Sequence, residues 1–363
     1  MRSGPSTLDQ LNHRDSTVLK ALAILAIVLH NFFHAVSPAR QNEFRFHPGA
    51  FQIFLHEVSQ PSHAVQAFFS FFGHLGVQVF IFLSAFGLAK SHWDDTSSWR
   101  QFMWGRIRKL YPTILLIVTP WACSTALWMG PHRMLKEVAP GLVAMLLGLS
   151  TLIGFGLPPV GPWWFIPYIM QFYAMWLLLR WVAKRFGWQG LVLLAAGCAL
   201  LAQLTDPALA YRSIDLLTTP IGRMPAICLG IAAARYRIRI SGALAAAGVA
   251  ALILGNVYSA AFPLSFVGVL LVSLWLYMRL RDVLGKSRLL VRIGECSMLI
   301  FLLNAIVRNR LLGYATSPAS QLFWGFLSAA LSIAISHVIA LLLEPQRGPA
   351  AVTTNELPAS VSA

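Results

Sequence analysis

Long apolar runs separated by short polar segments dominate the hydrophobic pattern of this 363-residue chain. A membrane-spanning helix needs about 20 mostly apolar residues, and ten runs approach that length. They lie at about 17–36, 73–91, 109–129, 163–183, 188–205, 215–235, 241–260, 263–281, 293–312 and 320–343. The pattern predicts an all-α, polytopic membrane protein with about ten transmembrane helices.

The composition agrees with a membrane protein. Hydrophobic residues make up 57% of the chain and charged residues only 11%, with a mean hydropathy of +0.66. Soluble domains carry about 25% charged residues, so a soluble enzyme, a disordered chain and a collagen-like chain are excluded. The four cysteines lie far apart in apolar runs without CxxC spacing, and we interpret them as small core residues.

The distribution of basic residues predicts the orientation of the helices. An eleventh apolar stretch at 138–155 is short, glycine-rich and followed by prolines. If it does not cross, 20 of the 28 lysines and arginines share one side with the termini, and seven lie opposite. Because cytoplasmic loops carry the excess of positive charge, this favours ten spans, cytoplasmic termini and a re-entrant or interfacial helix at 138–155. The same loops meet anionic lipid, so the net charge of +15 does not indicate a nucleic-acid partner.

The chain divides into one membrane domain and two tails. We expect a cytoplasmic N-terminal tail at 1–13, a membrane domain of about ten spans at 14–344, and a disordered tail at 345–363, which is rich in Pro, Ala, Thr and Ser. No convincing cleavage site follows the first apolar run, so we expect it to remain as the first span.

Span 1 carries polar side chains that are costly in a bilayer and are therefore informative. Lys20 lies near its inner end, and His30 follows about 15 Å further along the helix. Asn31 is next, and His34 shares a helix face with His30. His30 is either a hydrogen-bonded bundle residue or a general base, since only imidazole titrates near neutral pH unaided. A zinc site would need a third ligand in a fixed motif, which the sequence lacks, and we expect no metal.

Other polar positions suggest binding sites on both sides of the membrane. Glu43 is one of few acids on the outer side and is flanked by aromatic residues. On the inner side, Arg106 and Arg108 either anchor the topology or bind the phosphates of a nucleotide-bearing donor. Small residues such as Ser84 allow close helix contact, and Trp164 fits an interfacial belt. No Walker, Rossmann or GxSxG pattern supports ATP-driven transport, dinucleotide chemistry or serine hydrolysis.

The order of these segments resembles that of the acyltransferase-3 family of integral-membrane acyltransferases. The matching pieces are Lys20…His30, Gly76-Val-Gln-Val-Phe80-Ile-Phe82-Leu-Ser84, Arg106-Ile-Arg108-Lys-Leu-Tyr111-Pro112, Trp163-Trp164-Phe165…Gln171-Phe172-Tyr173 and Ser297…Leu302-Leu303-Asn304. The resemblance covers about residues 14–343, so the membrane domain at 14–344 resembles an acyltransferase domain. Order and spacing together carry the resemblance, since no single piece is specific.

The resemblance implies about ten spans, an acyl-CoA donor reached from the cytoplasm, and acceptors that are carbohydrate hydroxyls of the cell envelope. Carried over residue by residue, it makes His30 the base, Lys20 the cation of span 1 and Arg106 the arginine of span 3. Three features depart from the family pattern, and the first is Ala85 after Ser84, where glycine is usual. Nine residues separate Lys20 from His30 where ten are usual, so the usual spacing would reach Asn31, and Asn304 stands where many members have histidine.

Together these observations predict an inner-membrane enzyme that moves an acyl group from acyl-CoA, most simply acetyl-CoA, to a carbohydrate or glycolipid hydroxyl. His30 takes the proton of that hydroxyl, with Glu43 or Asn31 orienting its imidazole. The predicted donor-binding residues are Lys20, Ser84, Arg106 and Arg108, and the predicted acceptor-binding residues are His34, Trp164 and Asn304. A secondary transporter is the alternative function, although the sequence shows no inverted repeats. A receptor or scaffold without catalytic activity is a further alternative. The oligomeric state is left open.

Reporter fusions test the predicted topology. A reporter fused after Arg185 should read as cytoplasmic and one fused after Pro140 as outside, because the basic inner loops set the orientation. Paired alkaline phosphatase and fluorescent-protein fusions measure this. An outside reading after Arg185 would make 138–155 a genuine span and contradict the ten-span count.

Overall fold

The computed structural model describes residues 7–153, 158–210 and 214–343, and every α-helix in it belongs to one helical bundle without strands in that part of the chain. Single turns and a π-helical segment, Met134–Val138, connect the main helices. These are α1 His13–Val36, α2 Ala50–Val58, α3 Ala64–Phe72, α4 Gly76–Ser91, α5 Trp99–Met129, α6 Ala139–Leu146, α7 Phe165–Ala210, α8 Met224–Arg235, α9 Gly242–Val257, α10 Phe262–Leu284, α11 Arg288–Glu295, α12 Ser297–Leu311 and α13 Pro318–Leu343.

Six of the described segments are long and apolar enough to cross a membrane. They are His13–Val36, Ala64–Ser91, Trp99–Met129, Gly161–Thr205, Ser259–Leu284 and Pro318–Leu343. A seventh arises if the pair Arg288–Glu295 and Ser297–Tyr314, bent by 75°, counts as one span. The prediction of an all-α, multi-pass membrane protein is therefore confirmed, whereas the count of about ten spans is not.

Breaks in the helical backbone explain why the number of long helices differs from the number of apolar runs in the sequence. The predicted spans at 163–183 and 188–205 lie within the single helix α7, which is interrupted at Gly187 by a φ of 62°. The predicted span at 215–235 contains Pro220, whose ring cannot continue a helical hydrogen-bond ladder, and α8 begins only at Met224. The stretch at 138–155 is helical only over α6, whose eight residues are too short to cross, and residues 154–157 lie outside the described part.

Helix α1 lies at the centre of the bundle and contacts its neighbours through glycines. Gly73 and Gly76 place the backbone of the α3–α4 segment directly against Ala26 and Ala23. Gly294 of α11 lies against the carbonyl of Thr17 in the same way. Small residues let helix backbones approach closely where van der Waals packing must replace the hydrophobic effect.

A buried carboxylate fixes the inner end of α1. Asp15 belongs to a capping box with Asn12, and its side chain accepts hydrogen bonds from the Arg281 guanidinium at 2.5 and 2.8 Å and from the Tyr277 hydroxyl at 2.7 Å. Because each oxygen of this buried group is bonded, the network ties α1 to α10 rather than destabilising the bundle.

Substitution of Gly294 tests the central position of α1. A Cβ atom at Gly294 would overlap the backbone carbonyl of Thr17, so Gly294→Ala should destabilise the protein by about 1–3 kcal/mol through overpacking. A Cβ atom at Gly313 would have no neighbouring atom within 4 Å, so Gly313→Ala is the matched control and should leave the melting temperature unchanged. Thermal denaturation of the purified protein measures both, and equal melting temperatures would contradict the packing.

Candidate active site

His30 is buried in α1, and its imidazole is oriented by a backbone carbonyl. Its Nδ1 atom lies 3.2 Å from the carbonyl oxygen of Phe69 near the end of α3. A carbonyl oxygen only accepts hydrogen bonds, so Nδ1 carries the hydrogen and the neutral ring keeps its lone pair on Nε2. The structure therefore presents Nε2 as the basic atom of His30.

Two further histidines surround His30. The ring of His34 lies 4.8 Å from that of His30 between centroids, and the ring of His74 lies 5.3 Å from it. The i, i+4 spacing in the sequence pairs His30 with His34, but no sequence pattern places His74 at the site. Within the described segments, no three histidine, cysteine or acidic side chains are placed to hold a metal ion.

The side chains of Asn31 in α1 and Asn304 in α12 are hydrogen-bonded to each other. The Asn31 amide nitrogen donates to the Asn304 side-chain oxygen at 2.7 Å, and Arg308 donates to the Asn31 carbonyl at 3.1 Å. The Asn304 amide in turn donates to the Phe301 carbonyl at 2.5 Å. These bonds join α1 to α12 beside His30, and Asn31 does not bond the imidazole that it was predicted to orient.

Glu43 lies in the 37–49 loop and is held by a buried cation. Arg223 donates from Nη2 to the Glu43 carbonyl at 2.7 Å and from Nε to the Leu217 carbonyl at 2.6 Å. The Glu43 carboxyl is hydrogen-bonded to Trp164 and not to His30. Burial raises the pKa of this carboxyl to about 7, although the charge of Arg223 opposes the rise. The loop folds towards Arg223 because a guanidinium without water needs acceptors.

A cavity opens beside α1, between its N-terminal part and His30 along the helix. It has a volume of about 180 Å³, and Lys20 and Ser84, both predicted as donor-binding residues, line it together. Ile27 lines it as well and lies about one helical turn before His30. The other lining residues include Phe80, Phe165, Tyr173, Ser297 and Phe301. Lys20 and Ile27 of α1 both line the cavity, whereas His30 itself is not among its lining residues.

The two arginines of α5 differ in their relation to this cavity. The guanidinium of Arg106 lies 5.6 Å from the ring of Tyr173, a cavity residue, and its Nη2 atom lies 2.5 Å from Nε2 of His92. Arg108 lies over the ring of Trp104 at 5.6 Å and has no contact with a residue of the cavity wall among those described. The structure therefore brings Arg106, and not Arg108, to the wall of the cavity.

Several residues and groups at the site could not be assigned to it from the sequence alone. Arg223 was visible as a cation inside an apolar run, but the run does not show that its partners are the carbonyls of Glu43 and Leu217. The carbonyl of Phe69 cannot be inferred from any side chain, because every residue carries the same group. His74 was visible as a histidine between the glycines that open span 2, but that position does not show that it lies beside His30.

These helices define a multi-pass helical membrane protein with a buried, oriented histidine on the same helix as Lys20, which lines a cavity. A family model described as an acyltransferase domain matches residues 14–342, nearly the whole chain. The chain therefore belongs to the acyltransferase-3 family of membrane acyltransferases, as its motif order predicted. No curated protein and no solved structure matches it.

Proposed function

We propose that this protein transfers an acyl group, most simply acetyl, from acyl-CoA at the cytoplasmic side to a hydroxyl of a cell-envelope carbohydrate or glycolipid. Membership of the family supports acyl transfer. The observation that carries the proposal is the cavity that joins Lys20 to the turn before His30. An all-apolar bundle core would offer no such route.

The cavity suits a donor that is anionic at one end and narrow at the other. Lys20 marks its inner end, and the charge of Lys109 acts on Lys20 from the same side. Arg106 adds a third cation through its contact with Tyr173. The phosphates of CoA bind these cations in the proposal, and Arg108 attracts them from the inner end of α5. The pantetheine arm then lies between Lys20 and Ile27, about 10 Å apart along the helix.

His30 acts as the base in the proposed reaction. Its Nε2 atom takes the proton of the acceptor hydroxyl while the hydroxyl oxygen forms a bond to the thioester carbonyl carbon. The carbon–sulfur bond breaks, and the leaving sulfur receives the proton from the imidazolium, which gives an ester and free CoA thiol. A thioester is already activated, so the mechanism uses no metal.

The acceptor enters from the outer side in this proposal. His34 lies one turn further out than His30, and Trp164 and Asn304 complete the proposed contacts with the acceptor. Glu43 and Asn31 serve as positioning residues, since Glu43 bonds Trp164 and Asn31 bonds Asn304.

The proposed orientation follows from charge. We propose about ten spans in the inner (plasma) membrane with both termini in the cytoplasm. This count takes the bent pair as one span, treats the two parts of α7 as separate spans and adds the shorter helices α8 and α9. The 20 basic residues on the side of the termini support this arrangement. Acyl-CoA and membrane lipids are the expected inner partners.

Substitution of the base separates catalysis from folding. Glutamine at position 30 retains an amide donor for the Phe69 carbonyl but accepts no proton at neutral pH. His30→Gln should therefore insert normally and transfer acyl groups at least about 100-fold more slowly. Single-turnover transfer from radiolabelled acetyl-CoA measures this.

Asn31→Ala tests whether position 31 rather than position 30 is the catalytic one, because the usual family spacing from the cation of span 1 would put the histidine at position 31. It should retain more activity than His30→Gln. Near-normal transfer by His30→Gln together with an inactive Asn31→Ala would contradict the assignment of the base.

The two arginines of α5 provide a matched pair for the donor site. Arg106→Ala should raise the KM for acyl-CoA by about 10-fold or more, because a charge-assisted bond contributes roughly 1.5–3 kcal/mol. Arg108→Ala should raise it less than about 3-fold, since its charge lies away from the cavity wall and is screened by solvent. Initial rates at varied acyl-CoA measure both values. Equal KM values in wild type and Arg106→Ala would leave Arg106 as a topology anchor only.

A further inference from the structure

A second cavity, separate from the donor cavity, lies beside the 37–49 loop. Its volume is about 340 Å³, within the range of roughly 300–1,000 Å³ that ligand sites occupy. Four parts of the chain form its three walls: the 44–48 segment is the first wall, residues 202–203 of α7 are the second, and the segments at 216–217 and 259–262 together form the third. The function proposed above does not use it.

The first wall of this outer cavity is a rigid turn. The Asn42 side-chain oxygen accepts hydrogen bonds from the backbone N–H groups of Phe44 at 2.9 Å and Arg45 at 3.1 Å. The Asn42 amide also contacts Nε2 of His47 at 3.0 Å. An asparagine that bonds the backbone in this way holds a turn in one conformation. The backbone at Phe44 and Arg45 is thereby held before any ligand arrives.

Arg223 holds the first wall to the third. Its Nη2 atom donates to the carbonyl of Glu43, the residue directly before the 44–48 wall, and its Nε atom donates to the carbonyl of Leu217 in the third wall. Phe46 packs edge-on against Phe262, also of the third wall, with centroids 5.9 Å apart. A site whose walls are ordered in advance loses less entropy when a ligand binds.

The side chains that line the outer cavity combine aromatic faces with free polar groups. Phe44, Phe46 and Phe262 supply the apolar surface. The guanidinium of Arg45 makes no hydrogen bond or ion pair within the described part of the chain, and the Gln203 amide donates only a long bond of 3.4 Å to the Ser259 carbonyl. A guanidinium and an amide beside aromatic rings suit a ligand with an apolar ring face and several hydroxyls around its edge.

We propose that the outer cavity binds a sugar ring, with its C–H face on the phenylalanines and its hydroxyls bonded to Arg45 and Gln203. The further step, that this sugar is a unit of the acyl acceptor, rests on the function proposed above. The link to the active site is Phe44, which packs edge-on against Trp164 at 5.2 Å, and Trp164 bonds the Glu43 carboxyl. A lipid tail would leave the guanidinium and the amide without partners.

Saturation-transfer NMR on the purified full-length protein in detergent tests the sugar site without acyl transfer. The probes are the methyl glycosides of glucose, galactose, N-acetylglucosamine and glucuronic acid. At least one should bind to wild type, and Arg45→Ala should weaken it by about 10-fold and Gln203→Ala by at least about 3-fold. Arg45→Lys should also weaken it, because a lysine lacks the two-pronged donor geometry. Arg133→Ala removes an exposed, paired arginine elsewhere and should change nothing.

The outcomes distinguish this inference from the proposed function. Absence of a signal from every glycoside, or equal affinities in wild type, Arg45→Ala and Gln203→Ala, overturns the sugar site. If the variants lose sugar binding while wild type transfers no acyl group, the sugar site stands and the proposed function fails. If wild type acylates a carbohydrate and both variants keep its KM for that acceptor, the site is not part of acceptor binding.

Discussion

The close contact between α1 and the glycines at the start of α4 is the constraint on which the rest of the site depends. A Cβ atom at Gly73 would lie 2.6 Å from the Ala26 carbonyl and 2.7 Å from Cβ of His30, so no larger residue fits there. The contact brings the Phe69 carbonyl to Nδ1 of His30 and the ring of His74 next to it. The tautomer of His30, and with it the direction of its basic nitrogen, follows from helix packing.

The membrane adds a second constraint, because a buried polar group without a partner is costly there. Asp15 is satisfied by Arg281 and Tyr277, and two nitrogens of Arg223 are satisfied by backbone carbonyls. The first network fixes the inner end of α1 and the second fixes the 37–49 loop. The second network lies beside the outer cavity, because Leu217 lines that cavity.

The sequence was sufficient for the helical membrane class and the family. Hydrophobic runs located most helices, and Lys20 and Ser84 line one cavity together. The runs failed where the backbone bends, as at Gly187, since a break between two apolar segments does not show whether the helix continues. They also failed to give the partners of Glu43 and Asn31, because tertiary contacts decide which of several acceptors a side chain reaches.

The hydrogen-bonding state of His30 tests the central claim most directly. Nitrogen-15 NMR of the histidine-labelled protein at neutral pH reports which ring nitrogen carries hydrogen, and the difference between wild type and His30→Gln isolates His30 from the ten histidines of the chain. The structure predicts hydrogen on Nδ1 and a free lone pair on Nε2. Hydrogen on Nε2 instead would break the bond to Phe69, remove the basic nitrogen from the proposed reaction and contradict the role of His30 as the base.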